Sequence, residues 1–194
     1  VEQFSKILPK HPEVKVRHLQ VAGLKLEELK IQPTATQLIL YLHGGAFFLG
    51  SLNTHRAFLT QLTAHTQMQV LHADYPLAPE HPFPYALEQL LVLYQELLAQ
   101  GILAKDIVLA GDSCGANLAL ALALKIKEHQ LPPVNSLVLI SPLLDLSLSS
   151  PSLRFNQKHD ALLSLELIKT GINHYVPPHL DRASPYISPL FADL

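Results

Sequence analysis

A serine flanked by glycines is the part of this sequence best suited to chemistry. Residues 111–115 read Gly-Asp-Ser-Cys-Gly and lie between an apolar stretch that predicts a strand and a longer stretch that predicts a helix. A sharp turn at such a junction strains the backbone at Ser113 and projects its hydroxyl beyond the strand. Gly111 and Gly115 suit the close approach of strand and helix there. The pattern therefore predicts Ser113 as a nucleophile.

A second glycine-rich stretch, His-Gly-Gly-Ala-Phe-Phe at residues 43–48, directly follows another apolar run. Attack on an ester carbonyl builds negative charge on its oxygen, and fixed backbone N–H groups stabilise that charge. We expect the N–H groups of Gly45 and Ala46, joined by that of Cys114, to form an oxyanion hole. Five of the eight glycines lie in or beside the two motifs, which favours a backbone role over chance: Gly44, Gly45, Gly50, Gly111 and Gly115.

The elements that must position these motifs alternate between short apolar strands and helices. Strands are predicted at residues 14–21, 26–31, 38–42, 70–73, 107–110 and 136–140, the first two as an antiparallel hairpin, and helices at 57–66, 85–100, 117–129 and 164–175. This order is typical of an α/β fold, a mostly parallel sheet with helices on both faces and buried strands. Right-handed crossovers would bring both motifs to the carboxyl edge of the sheet.

Composition excludes several classes of function. The 194 residues are 48% hydrophobic and 15% charged, with a net charge of −2 and no basic block, which argues against nucleic-acid binding. No apolar run is long enough to span a membrane, and no ligand spacing indicates a metal or other cofactor. The single cysteine, and a start that lacks the pattern of a secretion signal, favour a cytoplasmic location.

Several stretches together resemble the hormone-sensitive-lipase-like esterases, the bacterial family IV of the α/β-hydrolase fold. They are residues 43–48, 74–84 (DYPLAPEHPFP), 111–119 (GDSCGANLA) and 141–145 (SPLLD), with a closing segment at 184–190. The resemblance implies Ser113 as the nucleophile and Gly44, Gly45 and Ala46 on the oxyanion loop. It also implies small carboxylic esters of short to medium acyl chain as substrates.

The resemblance also implies that part of the fold is missing. In the family, an acidic residue and a histidine complete the triad after the closing segment, and this sequence stops at Leu194 before either. We expect residues 1–194 to form a partial domain that lacks the last strands, with a core at 13–142 and a cap excursion at 143–187. A serine without a base is a weak nucleophile, so the chain alone should be nearly inactive.

Four positions depart from the family pattern: Ala46, Pro76, Cys114 and Ala116, where the family has Gly, Arg, Ala and Gly. Cys114 is interpreted as a small buried residue, with a redox role as the alternative. Glu80 is either a buried acid or a solvated loop carboxylate. His43 is expected to be structural rather than a catalytic base.

A self-contained triad is the alternative to a missing one. Asp145 follows the strand after the nucleophile helix, and a cap histidine could then act as base: His159, His174 or His179. The competing interpretation of Asp145 is a carboxylate that caps its own loop.

Two other functions are compatible with these residues. One is a non-catalytic binding protein or half-domain on the same fold, and the other is an amide deacetylase with the same mechanism. Missing strands would also leave an open, apolar edge beside residues 136–140, which predicts self-association.

Overall fold

The computed structural model describes residues 5, 7–32, 36–160 and 163–193. Its strands are β1 Lys15–Val21, β2 Leu24–Lys30, β3 Leu38–Leu42, β4 Gln69–Asp74, β5 Ile107–Asp112 and β6 Ser136–Ile140. Its α-helices are α1 Leu52–Thr66, α2 Tyr85–Ala99, α3 Ser113–Glu128, α4 Ser152–Phe155 and α5 Leu165–Tyr175, with 3-10 turns at Ala104–Asp106 and Pro189–Phe191.

The strands form one sheet in the order β1-β2-β4-β3-β5-β6. Strands β3 to β6 run parallel to one another, while β2 is antiparallel to β4 and β1 is antiparallel to β2. Ala22 and Gly23 close the β1–β2 hairpin with positive φ of 52° and 81°. The predicted α/β class, with a mostly parallel sheet, is confirmed.

Helices cover both faces of the central strands, as the apolar runs predicted. Alternate residues of β3 face opposite ways: Leu40 packs in the cluster that holds α2 and α3, and Tyr41 packs in the cluster that holds Leu59 of α1. Because β3 and β5 are buried on both faces, packing fixes the positions of their carboxyl ends relative to each other. Among the described residues, no helix combines the length and apolarity needed to cross a bilayer.

Two helices begin earlier than predicted. Helix α1 begins at Leu52 instead of residue 57, because Ser51 and Thr54 form a capping pair in which the Ser51 amide donates to Thr54 Oγ1 at 3.0 Å. Helix α3 begins at Ser113 instead of residue 117, so the strand–turn–helix junction contains no loop. The apolar periodicity did not predict the first turn of either helix, because the residues there are mostly polar or small.

The prediction that residues 136–140 form a strand is confirmed, but the prediction that this strand is buried is wrong. In the sheet of the described residues β6 is the terminal strand and pairs only with β5. Val138 and Ile140 keep 46% and 40% of their surface exposed. A terminal strand has no neighbour on one side, and its side chains lose the cover that the central strands share.

We predict that the 194-residue chain associates through β6. The strand offers unpaired backbone groups beside exposed apolar side chains, which favours pairing with a second copy. Light scattering coupled to size exclusion should give a mass above 21.5 kDa that rises with concentration. Val138→Lys should shift the mass towards the monomer, whereas Val92→Lys, at an equally exposed valine on α2, should not. A monodisperse monomer at every concentration would contradict the prediction.

Candidate active site

Ser113 lies at the sharp junction between β5 and α3. Its φ is +53°, in the left-handed region that a residue with a side chain rarely adopts. A Cβ at Gly115 would come within 2.1 Å of the Leu42 carbonyl oxygen, and one at Gly111 within 2.6 Å of the Gly115 carbonyl carbon. The glycines therefore allow β3, β5 and α3 to meet, and the meeting point places Ser113 at the carboxyl edge of the sheet.

The oxyanion loop, defined here as residues 43–50, leaves the same edge from the end of β3. It turns tightly, since the amide of Leu49 donates to the Gly45 carbonyl at 2.8 Å. Ala46 and Phe47 both have positive φ, at 52° and 68°. Such a run of left-handed residues turns successive N–H groups towards one side, the geometry that anion sites use.

The Gly44 amide is occupied by a side chain of the protein. It donates to Asp112 Oδ1 at 2.9 Å, and a Cβ at Gly44 would come within 2.2 Å of Asp112 Oδ2. Gly44 was expected on the oxyanion loop, and the structure gives its amide to a carboxylate of the protein. Of the four predicted oxyanion residues, Gly45, Ala46 and Cys114 are then the candidate donors to a substrate oxygen.

Helix α5, in the segment expected to form a cap, packs directly on the oxyanion loop. A Cβ at Gly171 would lie 2.2 Å from the Ala46 carbonyl oxygen and 2.8 Å from the Ala46 methyl group. The Phe47 and Tyr175 rings stack with centroids 3.9 Å apart. The methyl group that Ala46 carries in place of the family's glycine is therefore accommodated by a glycine on the facing helix.

Cys114 is a packing residue in this structure. Its side chain is fully buried, and its Sγ accepts a hydrogen bond from the Phe47 amide at 3.2 Å. Burial raises the pKa of the thiol to about 11, so it stays protonated at neutral pH. These features agree with the interpretation as a small buried residue and disfavour the redox alternative.

Asp145 caps its own loop. Its two carboxylate oxygens accept hydrogen bonds from the amides and hydroxyls of Ser147 and Ser149. Burial alone would raise the pKa of Asp145, but these four bonds hold it below its ordinary value.

The three histidines in the segment expected to form a cap also do not occupy the position of a catalytic base. His159, His174 and His179 are exposed, and among the described residues no hydrogen bond joins the Ser113 hydroxyl to a histidine or a carboxylate. The observed geometry disfavours the self-contained triad. Glu80 is exposed, in agreement with a solvated loop carboxylate.

Two buried histidines lie behind the oxyanion loop, and only one of them was singled out from the sequence. His43 Nδ1 donates to the Gly44 carbonyl at 2.9 Å, and its ring stacks on Tyr75 with centroids 4.4 Å apart. His72 lies on β4 with no hydrogen-bond partner for either ring nitrogen among the described residues. Burial lowers the pKa of His43 to about 4 and that of His72 well below its ordinary value. Both rings are therefore neutral at pH 7, and His43 is structural, as expected.

These lowered pKa values predict a protein that is sensitive to acid. As pH falls below 6.5, the unfolded chain binds protons at both histidines while the folded chain does not, so stability is lost from pH 6.5 downwards. His43 alone should lower the free energy of unfolding by about 3 kcal/mol by pH 4. Urea unfolding at pH 7 and near pH 4.5 would measure the loss.

A substitution separates this effect from general acid destabilisation. His72→Leu removes one buried titrating group and should lessen the loss of stability between pH 7 and 4.5. His65→Leu, at an exposed histidine of α1, is the matched control and should leave the loss unchanged. Equal losses in the His72→Leu variant and the unsubstituted chain would contradict the assignment.

Comparison with known proteins identifies the fold family of this chain. Residues 39–194 match the profile of the alpha/beta hydrolase fold. An esterase from Acinetobacter venetianus is 56% identical over 194 residues, which is 100% of this chain and 64% of the relative. An acetyl-hydrolase from Streptomyces hygroscopicus is 35% identical over 80% of this chain and 52% of the relative.

Solved structures agree with these sequence matches. A homologue of hormone-sensitive lipase, EstE7 from a metagenome library, superposes with a TM-score of 0.94 at 34% identity, over 98% of this chain and 66% of that one. A hormone-sensitive lipase from a metagenome library gives a TM-score of 0.93 at 34% identity. The chain thus spans less than two thirds of the length of these relatives.

Proposed function

Because this chain belongs to the α/β-hydrolase fold family, we propose that it carries the nucleophile and the oxyanion loop of a carboxylic ester hydrolase. The observation that carries the proposal is Ser113 at φ +53°, held between β5 and α3 beside a loop of left-handed residues. A strained serine at a strand–helix turn exposes its hydroxyl for attack. The names of the esterase and acetyl-hydrolase relatives support the same class of reaction.

The reaction follows from these positions. Ser113 Oγ attacks the ester carbonyl carbon while a base takes its proton, and the carbonyl oxygen becomes an oxyanion facing the N–H groups of Gly45, Ala46 and Cys114. Collapse of the tetrahedral intermediate breaks the bond to the alcohol, which leaves with a proton and leaves an acyl group on Ser113. Attack by water then releases the carboxylic acid and restores the serine.

The base and its acidic partner belong, in this proposal, to polypeptide outside the described residues. Serine is a poor nucleophile without a hydrogen-bonded base. The described residues offer Ser113 no such partner, since His43 is bonded to a backbone carbonyl and Asp145 to two serines. The greater length of the matched relatives is consistent with a histidine and an acid supplied from elsewhere.

We propose small esters of short to medium acyl chain as substrates, with residues 143–187 as the cap. Helix α5 of this segment covers the oxyanion loop through Gly171 and Tyr175. Bulky rings at the loop, Phe48 beside His174, would then form part of the acyl-pocket wall. Walls of this kind restrict the length of the acyl chain.

A chimera tests the proposal directly. This chain would replace the matched region of the Acinetobacter venetianus esterase, so that the rest of the relative supplies any residues that the described chain lacks. We expect the chimera to hydrolyse p-nitrophenyl esters, fastest with short to medium acyl chains, while the 194-residue chain is nearly inactive. Turnover of p-nitroacetanilide above that of the esters would favour the amide deacetylase. A folded chimera that binds esters without hydrolysing them would contradict the proposal.

A further inference from the structure

Asp112, the residue before Ser113, connects three elements around the candidate active site. Its Oδ1 accepts hydrogen bonds from the Tyr41 hydroxyl on β3 and from the Gly44 amide, each at 2.9 Å. His55 on α1 places its Nε2 at 3.2 Å from the same carboxylate oxygen. A single half-buried carboxylate therefore touches the strand that leads into the oxyanion loop, the loop itself and the helix that follows it.

The two contacts from Gly44 and His55 lie on either side of the loop. Gly44 is near its beginning, and His55 lies in the first turn of α1, immediately after its end. Between them the chain passes through the strained residues Ala46 and Phe47. A strained segment keeps its conformation only when its surroundings fix its ends, which is what these two contacts do.

His55 is itself held in place. Its Nδ1 lies 2.8 Å from Thr54 Oγ1, and that hydroxyl donates its proton to the Ser51 carbonyl at 2.8 Å. The His55 ring is thus held at both of its nitrogens, by Thr54 on one side and by the Asp112 carboxylate on the other.

These contacts lower the pKa of the Asp112 carboxyl group. Burial alone would raise the pKa of Asp112, but the bonds from His55, Tyr41 and the Gly44 amide hold it below its ordinary value. Asp112 is thus ionised at neutral pH, the state that accepts all three bonds. A neutral side chain without acceptors would leave the Gly44 amide without this partner.

We propose that Asp112 is a positioning residue, which with His55 clamps both ends of the oxyanion loop and so aims its N–H groups at the carbonyl that Ser113 attacks. The inference rests on the proposed function and adds a residue that acts on the transition state without touching it. Its effect should appear in kcat, because the loop donors bind the oxyanion and not the ground-state ester.

The first test uses the 194-residue chain and needs no activity. Hydrogen exchange should become at least about tenfold faster across residues 43–50 in Asp112→Ala, because local opening is no longer opposed by the clamp, while exchange in β4 stays unchanged. Asp112→Asn keeps an acceptor for the Gly44 amide and should show a smaller increase. Unchanged exchange at residues 43–50 in a folded Asp112→Ala would overturn the proposal.

A second variant, at a residue farther from Ser113, keeps the proposal testable if Asp112→Ala does not fold. His55→Leu removes the second contact and leaves the Gly44 bond in place, so exchange should rise at the end of the loop nearest α1. His65→Leu, on the exposed side of the same helix, is the matched control and should leave exchange unchanged. Equal exchange in the two variants would show that the clamp has only one end.

The second test uses the chimera and ester substrates. Asp112→Ala should lower kcat by about 100-fold with KM changed less than about threefold, and Asp112→Asn should recover part of kcat. A rise in KM with unchanged kcat would overturn the positioning role. If the unsubstituted chimera is inactive, the proposed function fails, while the exchange experiment still decides whether the clamp exists.

Discussion

Ser113→Ala should abolish ester hydrolysis by the chimera, with a fall in kcat of at least about 1000-fold. The substitution removes the only atom proposed to bond to the acyl group, and what catalysis survives comes from the oxyanion hole and binding alone. KM should change little, because the methyl group of alanine occupies the space of the serine β-carbon. Steady-state hydrolysis of a p-nitrophenyl ester measures both constants.

Ser141→Ala is the matched control for this prediction. Ser141 also has a positive φ, 46°, and is exposed at the end of β6, but no role in the reaction is proposed for it. Its substitution should leave kcat within about twofold of the unsubstituted chimera, since exposed surface changes rarely matter. Activity retained in Ser113→Ala would remove Ser113 from the mechanism.

Gly115→Ala should strongly destabilise the fold, because the added methyl group has no room beside the backbone of β3. The new Cβ would meet the Leu42 and His43 carbonyl oxygens at 2.1 and 2.5 Å, and both belong to backbone that cannot rotate away. We expect a loss of about 3 kcal/mol or more in the free energy of unfolding, measured by urea denaturation of the 194-residue chain.

A loss of stability would identify the steric clash as the cause, because helix propensity alone predicts that Gly115→Ala stabilises the protein. Alanine is better than glycine inside a helix by about 1 kcal/mol, and Gly115 lies within α3. Gly101→Ala is the control: its φ is +89°, but no atom lies within 4 Å of the new methyl group, so only about 1 kcal/mol of backbone strain is expected. A stable Gly115→Ala would mean that α3 and β3 are farther apart than described.

The strands of the fold could be predicted because each apolar run is bounded by a turn. Strand β3 coincides with the run 38–42, since residues buried on both faces must all be apolar. Helix α3 could not be placed correctly, because it begins in the motif residues, which carry no apolar period. The exposure of β6 depends on which elements lie beside it in space. The apolar run at 136–140 indicated a buried strand, and only the expected loss of the last strands indicated an open edge there.

The candidate site also contains some residues that the sequence could predict and others that it could not. Ser113 and the loop glycines could be identified from the sequence, because they lie in short motifs whose glycines meet unusual backbone requirements within a few residues. The partners of Asp112 do not, since Tyr41 and His55 lie 71 and 57 positions away along the chain and neither belongs to a motif. The second role of Gly44, as a donor to Asp112, also required the geometry.

Labelling by a fluorophosphonate, read by intact mass and peptide mapping, tests the central claim most directly. The reagent bonds only to an activated serine, so we expect one adduct on the chimera, mapped to Ser113, and none on the 21.5 kDa chain alone. An adduct on the chain alone would mean that its own residues supply the base. An adduct at another residue, or none on a folded and otherwise intact chimera, would contradict the assignment of Ser113 as the nucleophile.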